Sequence, residues 1–509
     1  MFSSPAHHLI PTATFEPFSS SDSDSDNHQS SRKGFGVFVL ICLLINTVIG
    51  TGVLNIPSVM FRAGLKLSLI TVGLVTTSSI LCFFYLSEVM SRADVMSDLE
   101  ADLFSNLLKY WQPKFSTGFR KYEVVRLVEL FMGKRAKTIY QFAIFILLTS
   151  ILTSFVMTSV STLMWYVSIP SLTQKGSCHF DGQYTGVSTC NIAYYIYLVL
   201  FGLAVLALSL VEISEQSKFQ SIMAGYRFLV LMLIVGVIVF ALRVGPYTPP
   251  PPRPSSLYDV ELPNNFDFLN HWNWHGLGAI FSVIFFSLHG HHALPRLVSC
   301  ATERNHLKIV FIVASIVPAL LYLCVGFFGA FYFGKHVDQV ITLKFDRLHL
   351  YLGYDRPLIW TRVLSAIIVL YPPLVSLSSF PIHASVLGET LFESTVPLHK
   401  RQDYGEVVVA KVRRFCILFA ALLPIVIAAF VTDFSLVVSI SGLTAFFTAL
   451  IVPPTLQMIA REKCISIWNS SVSDSSPHTT IFSKPWCASN VVNLGLVMIF
   501  INVYYVFFH

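Results

Sequence analysis

Residues Asn46 to Pro57 read Asn-Thr-Val-Ile-Gly-Thr-Gly-Val-Leu-Asn-Ile-Pro, inside a segment otherwise apolar enough to cross a bilayer. Two glycines, two threonines, two asparagines and a proline sit where lipid supplies no hydrogen-bond partner. Backbone leaves the helical ladder at membrane depth only where it is buried in protein or lines a water-filled cavity. The run therefore restricts the chain to architectures with a discontinuous spanning helix, and the break itself is a candidate ligand site.

Composition agrees. Of 509 residues, 54% are hydrophobic and 12% charged, against about a quarter charged in soluble domains. The apolar residues come in runs of about 20, the length a helix needs to cross the hydrocarbon core. The expectation is an all-α polytopic membrane protein of eleven spans, near 36–57, 66–90, 138–168, 191–211, 220–243, 276–296, 309–333, 360–385, 413–431, 434–458 and 489–508. The net charge of +6 is scattered among loops without interleaved aromatics, so the partners expected are lipid and a small solute, not nucleic acid. Residues 1–33 are polar and serine-rich, with the run Ser19-Ser20-Ser21-Asp22-Ser23-Asp24-Ser25-Asp26, and read as a disordered tail. The spanning domain is 34–509.

An odd span count puts the termini on opposite sides. With the N-terminus in the cytosol, and with Lys66, Arg243, Arg296, Arg413 and Arg414 at span ends counted with the adjoining loops, the cytosolic tail and loops hold 23 Lys and Arg and the outward loops hold 9, with Arg227 and Arg362 inside spans. That bias supports the orientation. The longest cytosolic insertion, about 91–136, is expected to carry a short surface helix. Glu88 reads as an interfacial carboxylate near the cytosol, and Asp433 as a cap in a tight turn. The outward stretch 244–275 holds Pro249 to Pro252, a stiff connector, and Trp272 and Trp274 read as interfacial anchors. Cys178 and Cys190 share an outward loop where an oxidising compartment permits a disulfide. Asn469 begins a sequon in a cytosolic loop and is expected to carry no glycan. Tyr404-Gly405-Glu406-Val407 fits a tyrosine-type sorting signal, which tilts the expected location toward an endolysosomal or vacuolar membrane over the cell surface.

If the first ten spans form two five-helix halves (about 36–243 and 276–458, with 489–508 extra), the sixth is the counterpart of the first. It reads Ser287-Leu288-His289-Gly290-His291-His292-Ala293-Leu294-Pro295, a second interruption with glycine and proline. Matching interruptions in two halves point to a transport site, where half-helix N-termini suit a carboxylate and freed carbonyls suit a sodium ion or an ammonium. The bland reading is close helix packing at the glycines.

Asn46 to Pro57 resembles the first-helix signature of the amino acid/auxin permease superfamily, with its eleven spans, LeuT-like five-plus-five inverted repeat and broken helices 1 and 6. His292-Ala293-Leu294-Pro295, Thr342-Leu343-Lys344-Phe345 and Phe380-Pro381-Ile382 look like the transmembrane protein 104 branch. The resemblance implies secondary transport of amino acids or similar small solutes, driven by sodium or protons, with no catalytic residues and no cofactor. Ile49, Gly50, Thr51, Gly52, Leu288, His289 and Gly290 are the expected substrate-binding positions. Asn46 matches the position where sodium-coupled relatives place an asparagine near the ion, and Ser376, Ser378 and Ser379 resemble hydroxyls that complete a sodium shell. Each has a structural alternative: a buried amide joins helices, and membrane serines bond back to the preceding turn. His292, with His289, is the competing expectation for proton coupling, since intramembrane ionisable groups mark such paths and histidine titrates near neutrality. No metal site is expected from these histidines. A sensor that binds substrate and signals to cytosolic partners without flux is the alternative function.

Overall fold

In the computed structural model the described residues are 36–104, 122–167, 169, 188–211, 217–244, 267–270, 272–299, 301–302, 304–352, 357–396, 405–431, 433–467, 476 and 478–508. The spans are helical, with interruptions at 49–50 and 288–290. The first span comes as α1 (Val37–Val48), a tight turn over Thr51–Asn55, and α2 (Ile56–Ala63). The two arms are bent by 51°. Pro57 sits in the first turn of α2, where its missing N–H costs nothing. Next come α3 (Leu65–Phe104), α4 (Val124–Met132), α5 (Lys134–Tyr166), α6 (Ser188–Ser209) and α7 (Ser217–Val244).

The second half opens with α8 (Leu277–Ser287) and α9 (Leu294–Val298), followed by α10 (Leu307–Phe333), α11 (Ile359–Val369), α12 (Tyr371–Thr395), α13 (Glu406–Phe430), α14 (Phe434–Ala445), α15 (Val452–Ile467) and α16 (Pro485–Phe508). Among the described residues nine helices are long and apolar enough to cross a membrane, or up to ten if the bent first pair is one span. The segment read as the sixth span arrives in two pieces, each too short to cross alone. The eighth span extends through α11 and α12 to Thr395, and the tenth carries a π-helical turn at Phe446–Ile451 between α14 and α15. Pro372 and Pro373 occupy the first turn of α12, where the chain can tolerate lost donors.

Burial separates the central from the peripheral helices. The apolar window of α5 is 83% buried and that of α13 only 28%, so α5 runs through the bundle and α13 faces lipid. The arms of the broken pair cross-pack: α2 and the 51–55 turn lie on α8, and α1 lies on α9. Each arm of the first interrupted segment therefore packs on one arm of the second.

Two expectations change. α3 runs 40 residues, about 60 Å at 1.5 Å per residue, well past the anticipated end at residue 90. Glu88 is not interfacial: its carboxylate is buried, 2.5 Å from Arg92 Nη2, with Gln457 and Thr479 also donating. Backbone and side chains around Ser476–Ser483 fold over this pair, including a Ser476–Ser91 hydroxyl contact of 3.2 Å. The short helix expected in 91–136 is α4, and it is docked, with five residues buried. Glu129 on α4 accepts from Arg126 at 2.7 Å and Lys137 at 2.9 Å. Partial burial raises its carboxyl, but the hydrogen bonds and charges of Lys137 and Arg126 outweigh this and hold it below its ordinary value. Asp433 does accept from Leu436 N–H. Trp272 and Trp274 are exposed and meet edge to face at 5.2 Å. Cys178, Asn469 and Tyr404 lie outside the described residues; Cys190 is not among the free thiols.

Candidate functional site

A helix that stops in a membrane leaves carbonyls that need donors. At the end of α1, Ile45 O takes the N–H of Ile49 at 2.7 Å, and Val48 O takes the N–H of Gly50 at 3.0 Å. The remaining acceptors are met by side chains from other helices. Arg227, fully buried on α7, donates from Nη1 to Asn46 O and, at 2.8 Å, to Ile49 O. Its Nη2 donates to Ser378 Oγ at 2.5 Å, Ser379 Oγ at 2.7 Å and Val375 O at 3.4 Å. The cation thus sits at the C-terminal, negative end of α1, where a helix favours positive charge. No carboxylate among the described residues pairs with it; carbonyl and hydroxyl dipoles solvate it instead.

The expected ion ligands fare differently. Ser378 and Ser379 do come together with the α1 carbonyls, but around a guanidinium. Oxygens of this kind are proper ligands for a hard cation, and here Arg227 engages them. Ser376 turns away and donates to Phe155 O at 3.4 Å on α5. The Asn46 amide donates to Gln220 O at 2.5 Å and faces Gln220 Oε1 at 3.4 Å, while Gln220 Nε2 donates to Ser378 O at 2.8 Å. Asn46 therefore joins α1 to α7 through its side chain; what it offers the cation is its backbone carbonyl.

The two breaks face one another. Tyr322 on α10, fully buried, places its hydroxyl 3.0 Å from both Val48 O and Ser287 O. One hydroxyl has one proton and satisfies one carbonyl at a time. A Cβ on Gly52 would lie 2.7 Å from Phe286 Cδ1 and would also overlap Ser287 Oγ, and one on Gly290 would lie 3.1 Å from Val48 Cγ2. These glycines permit close approach of the broken helices. Gly50 instead faces the Phe155 ring, at 3.3 Å from a built Cβ. Ile49 and Leu288 are buried, and Thr51 Oγ1 is buried with no hydrogen-bond partner, as are Thr342 Oγ1 and Tyr371 Oη.

Within the second break, His289, His291 and His292 are all buried. His289 stacks on His292 with centroids 5.1 Å apart and lies 5.7 Å from His291; His292 lies 5.3 Å from His383 of α12. Small cavities lie on either side of the breaks. One, of about 20 Å³, touches Asn55, Arg62, Ser282 and Ser439; the other, also about 20 Å³, touches His292, Glu123, Tyr140 and Thr390.

Arg227, Gln220 and Tyr322 were not singled out from sequence. Arg227 carried a usable signal: an arginine inside a span needs partners or a function. Tyr322, one tyrosine in an apolar run, carried none.

The profile of a family described as "Transmembrane amino acid transporter protein" matches residues 34–500. A transmembrane protein 104 homolog of Caenorhabditis elegans is 22% identical over 514 residues, spanning 94% of this chain and 98% of that protein. A homolog of the same name from Drosophila melanogaster is 25% identical over 209 residues, 40% of this chain and 38% of its own. Among solved structures, MhsT, crystallised in complex with L-phenylalanine, superposes with a TM-score of 0.53 at 14% identity, covering 92% of this chain and 98% of that one. At that identity the likeness concerns the fold, which is the LeuT-like one.

Proposed function

Because the chain belongs to the transmembrane amino acid transporter family, we propose that it moves amino acids or similar small solutes by alternating access, driven by protons and independent of sodium. It is a multi-pass membrane protein and a transporter, not an enzyme. The observation that carries the coupling proposal is Arg227. Its guanidinium engages Asn46 O, Ile49 O, Ser378 and Ser379, the oxygens a sodium ion would need. A fixed positive charge there supplies the electrostatic role of the ion and leaves no reason for sodium to bind.

The substrate is proposed to lie between Ile49–Gly52 and Leu288–Gly290. Unpartnered Thr51 Oγ1 and the N–H groups opening the 51–55 turn suit its carboxylate. Its ammonium would take Val48 O and Ser287 O, displacing the Tyr322 hydroxyl. Close packing at Gly52 and Gly290 then describes an occluded pair of arms that separate as the transporter cycles. The boundaries 1–33, 36–243, 276–458 and 489–508, a cytosolic N-terminus, a lumenal C-terminus, an endolysosomal membrane and the Cys178–Cys190 bridge complete the reading.

Uptake by proteoliposomes of the purified chain tests it. Across a panel of radiolabelled amino acids, an inward proton gradient in choline buffer should drive accumulation, and exchanging choline for sodium should change nothing. Accumulation that requires sodium, or that ignores both gradients, overturns the coupling proposal. Binding without flux favours a sensor.

A further inference from the structure

We infer that His291, His289, His292 and His383 form a proton-binding chain that opens toward the cytosolic face through the cavity at Glu123. The inference rests on the proton-coupled reading above and assigns its carrier.

The four rings are in sequence, at centroid separations of 5.7, 5.1 and 5.3 Å. The outer two are anchored. His291 Nε2 lies 3.1 Å from Ser79 O, and its ring stacks on Phe83 at 4.2 Å. His383 Nδ1 lies 2.9 Å from Ser379 O. A carbonyl only accepts, so each of these nitrogens carries the hydrogen. His291 Nδ1 is then left as an acceptor without a partner. The inner two are different: Nδ1 and Nε2 of both His289 and His292 are buried and have no hydrogen-bond partner. Unpaired buried polar nitrogens are costly and call for an explanation. Four of them on two stacked rings are more than helix-to-helix bonding requires, and among the described residues no three or more His, Cys, Asp or Glu side chains are placed to hold a metal ion.

The chain connects to the proposed transport site at one end and, along its side, to a mostly apolar cavity that holds a few polar groups. Ser379, whose carbonyl accepts from His383, accepts from Arg227 through its hydroxyl. His292 lines the cavity of about 20 Å³ shared with Glu123, Tyr140 and Thr390, enough for about one water molecule with polar partners. The titratable and charged groups facing the chain are these: Arg227 from α7, Glu123 before α4, Tyr140 from α5, His383 from α12 and the histidines of the second break. The α3 face contributes Ser79 and Phe83 and no charge.

The consequence is mechanical. While the rings are dry, a proton on any of them adds a second positive charge to a cluster that already holds the Arg227 guanidinium. Protonation therefore favours a conformation that separates the rings or admits water to them, and that difference between states is what coupling requires. The proton enters on an unpartnered nitrogen of His289 or His292 and leaves from His292 to the Glu123 carboxylate or to water in the cavity.

The full-length chain in liposomes on a solid-supported membrane provides the test, with protons alone as the probe. A step from about pH 7.5 to about pH 5.5, spanning the ordinary histidine range, should give a transient charge displacement in the absence of any solute. His289→Gln with His292→Gln should cut that charge at least tenfold, and Glu123→Gln should slow it several-fold without reducing its total. Should the double variant fail to fold, His292→Gln alone is expected to at least halve the charge. An undiminished transient in a folded variant lacking His292 overturns the inference. Intact proton-driven uptake in such a variant would overturn it too, while sparing the proton-coupled reading. Wild-type charge displacement without solute uptake would instead support the chain and sink the transporter reading.

Discussion

Arg227→Ala strips a guanidinium from Asn46 O, Ile49 O, Val375 O, Ser378 Oγ and Ser379 Oγ together. Each acceptor left dry costs about 1–3 kcal/mol, but removing the buried cation also removes its own desolvation penalty. No charge is stranded by the deletion, so a net loss of about 1–3 kcal/mol is expected, the cost of one acceptor that finds no other partner. The space left behind is bordered by carbonyl and hydroxyl oxygens, the donor set of a hard cation. Sodium at a hundredfold excess over its dissociation constant would return about 2.7 kcal/mol. Thermal unfolding of detergent-solubilised protein in sodium chloride and in choline chloride, at equal ionic strength, separates the cases. Wild type should unfold at the same temperature in both. The variant should unfold lower in choline and recover in sodium. Arg227→Lys keeps the charge with a shorter donor set and should fall between, with little response to salt. A wild type stabilised by sodium over choline would refute the argument, as would a folded alanine variant blind to the exchange.

Other tests follow from single contacts. Tyr322→Phe frees Val48 O and Ser287 O; if an ammonium competes for them, apparent affinity for amino acids in thermal-shift titration should rise about fivefold, the equivalent of one hydrogen bond of ~1 kcal/mol, and unchanged affinity would reject the site. Gly52→Val places a branched side chain against Phe286, so it should lower stability by about 1–3 kcal/mol; Gly50→Ala, meeting only the Phe155 ring at 3.3 Å, should be far milder, and equal losses would contradict the packing. Glu129 has a depressed folded value, so its contribution is present above the ordinary glutamate value of about 4.3 and is lost as pH falls through the folded value. Glu129→Gln should therefore flatten the acid side of the stability profile, and an unaltered profile would remove the Arg126–Glu129–Lys137 cluster as its cause. Cys178 should label with a thiol reagent only after reduction; prompt labelling of the intact protein excludes the bridge to Cys190.

The all-helical membrane character of the chain and its polar interruptions were legible in the sequence, because they depend on local chemistry; the expected eleven spans were not, since nine helices among the described residues, or ten with the bent first pair, are long and apolar enough to cross. About 20 apolar residues must span as a helix, and Gly, Thr, Asn and Pro within such a run must leave the ladder. The run from Asn46 to Pro57 and the run from Ser287 to Pro295 declared themselves for that reason, and the helices end at Val48 and Ser287. Which groups satisfy the broken ends was not legible. Arg227 reaches Asn46 O across 181 positions, and Tyr322 reaches Val48 O across 274. Such pairings depend on how α7 and α10 rotate and pack against α1, which no periodicity within one helix encodes. The same limit hid the Glu88–Arg92 pair. Its i,i+4 spacing was local, but its burial depends on Gln457 and the 476–483 segment folding over it from the far end of the chain. Composition and periodicity chose an all-helical membrane bundle. Tertiary packing decided that a guanidinium, not an exposed ring of oxygens, closes the first break, because only the assembled bundle brings a cation from α7 to carbonyls from α1 and hydroxyls from α12.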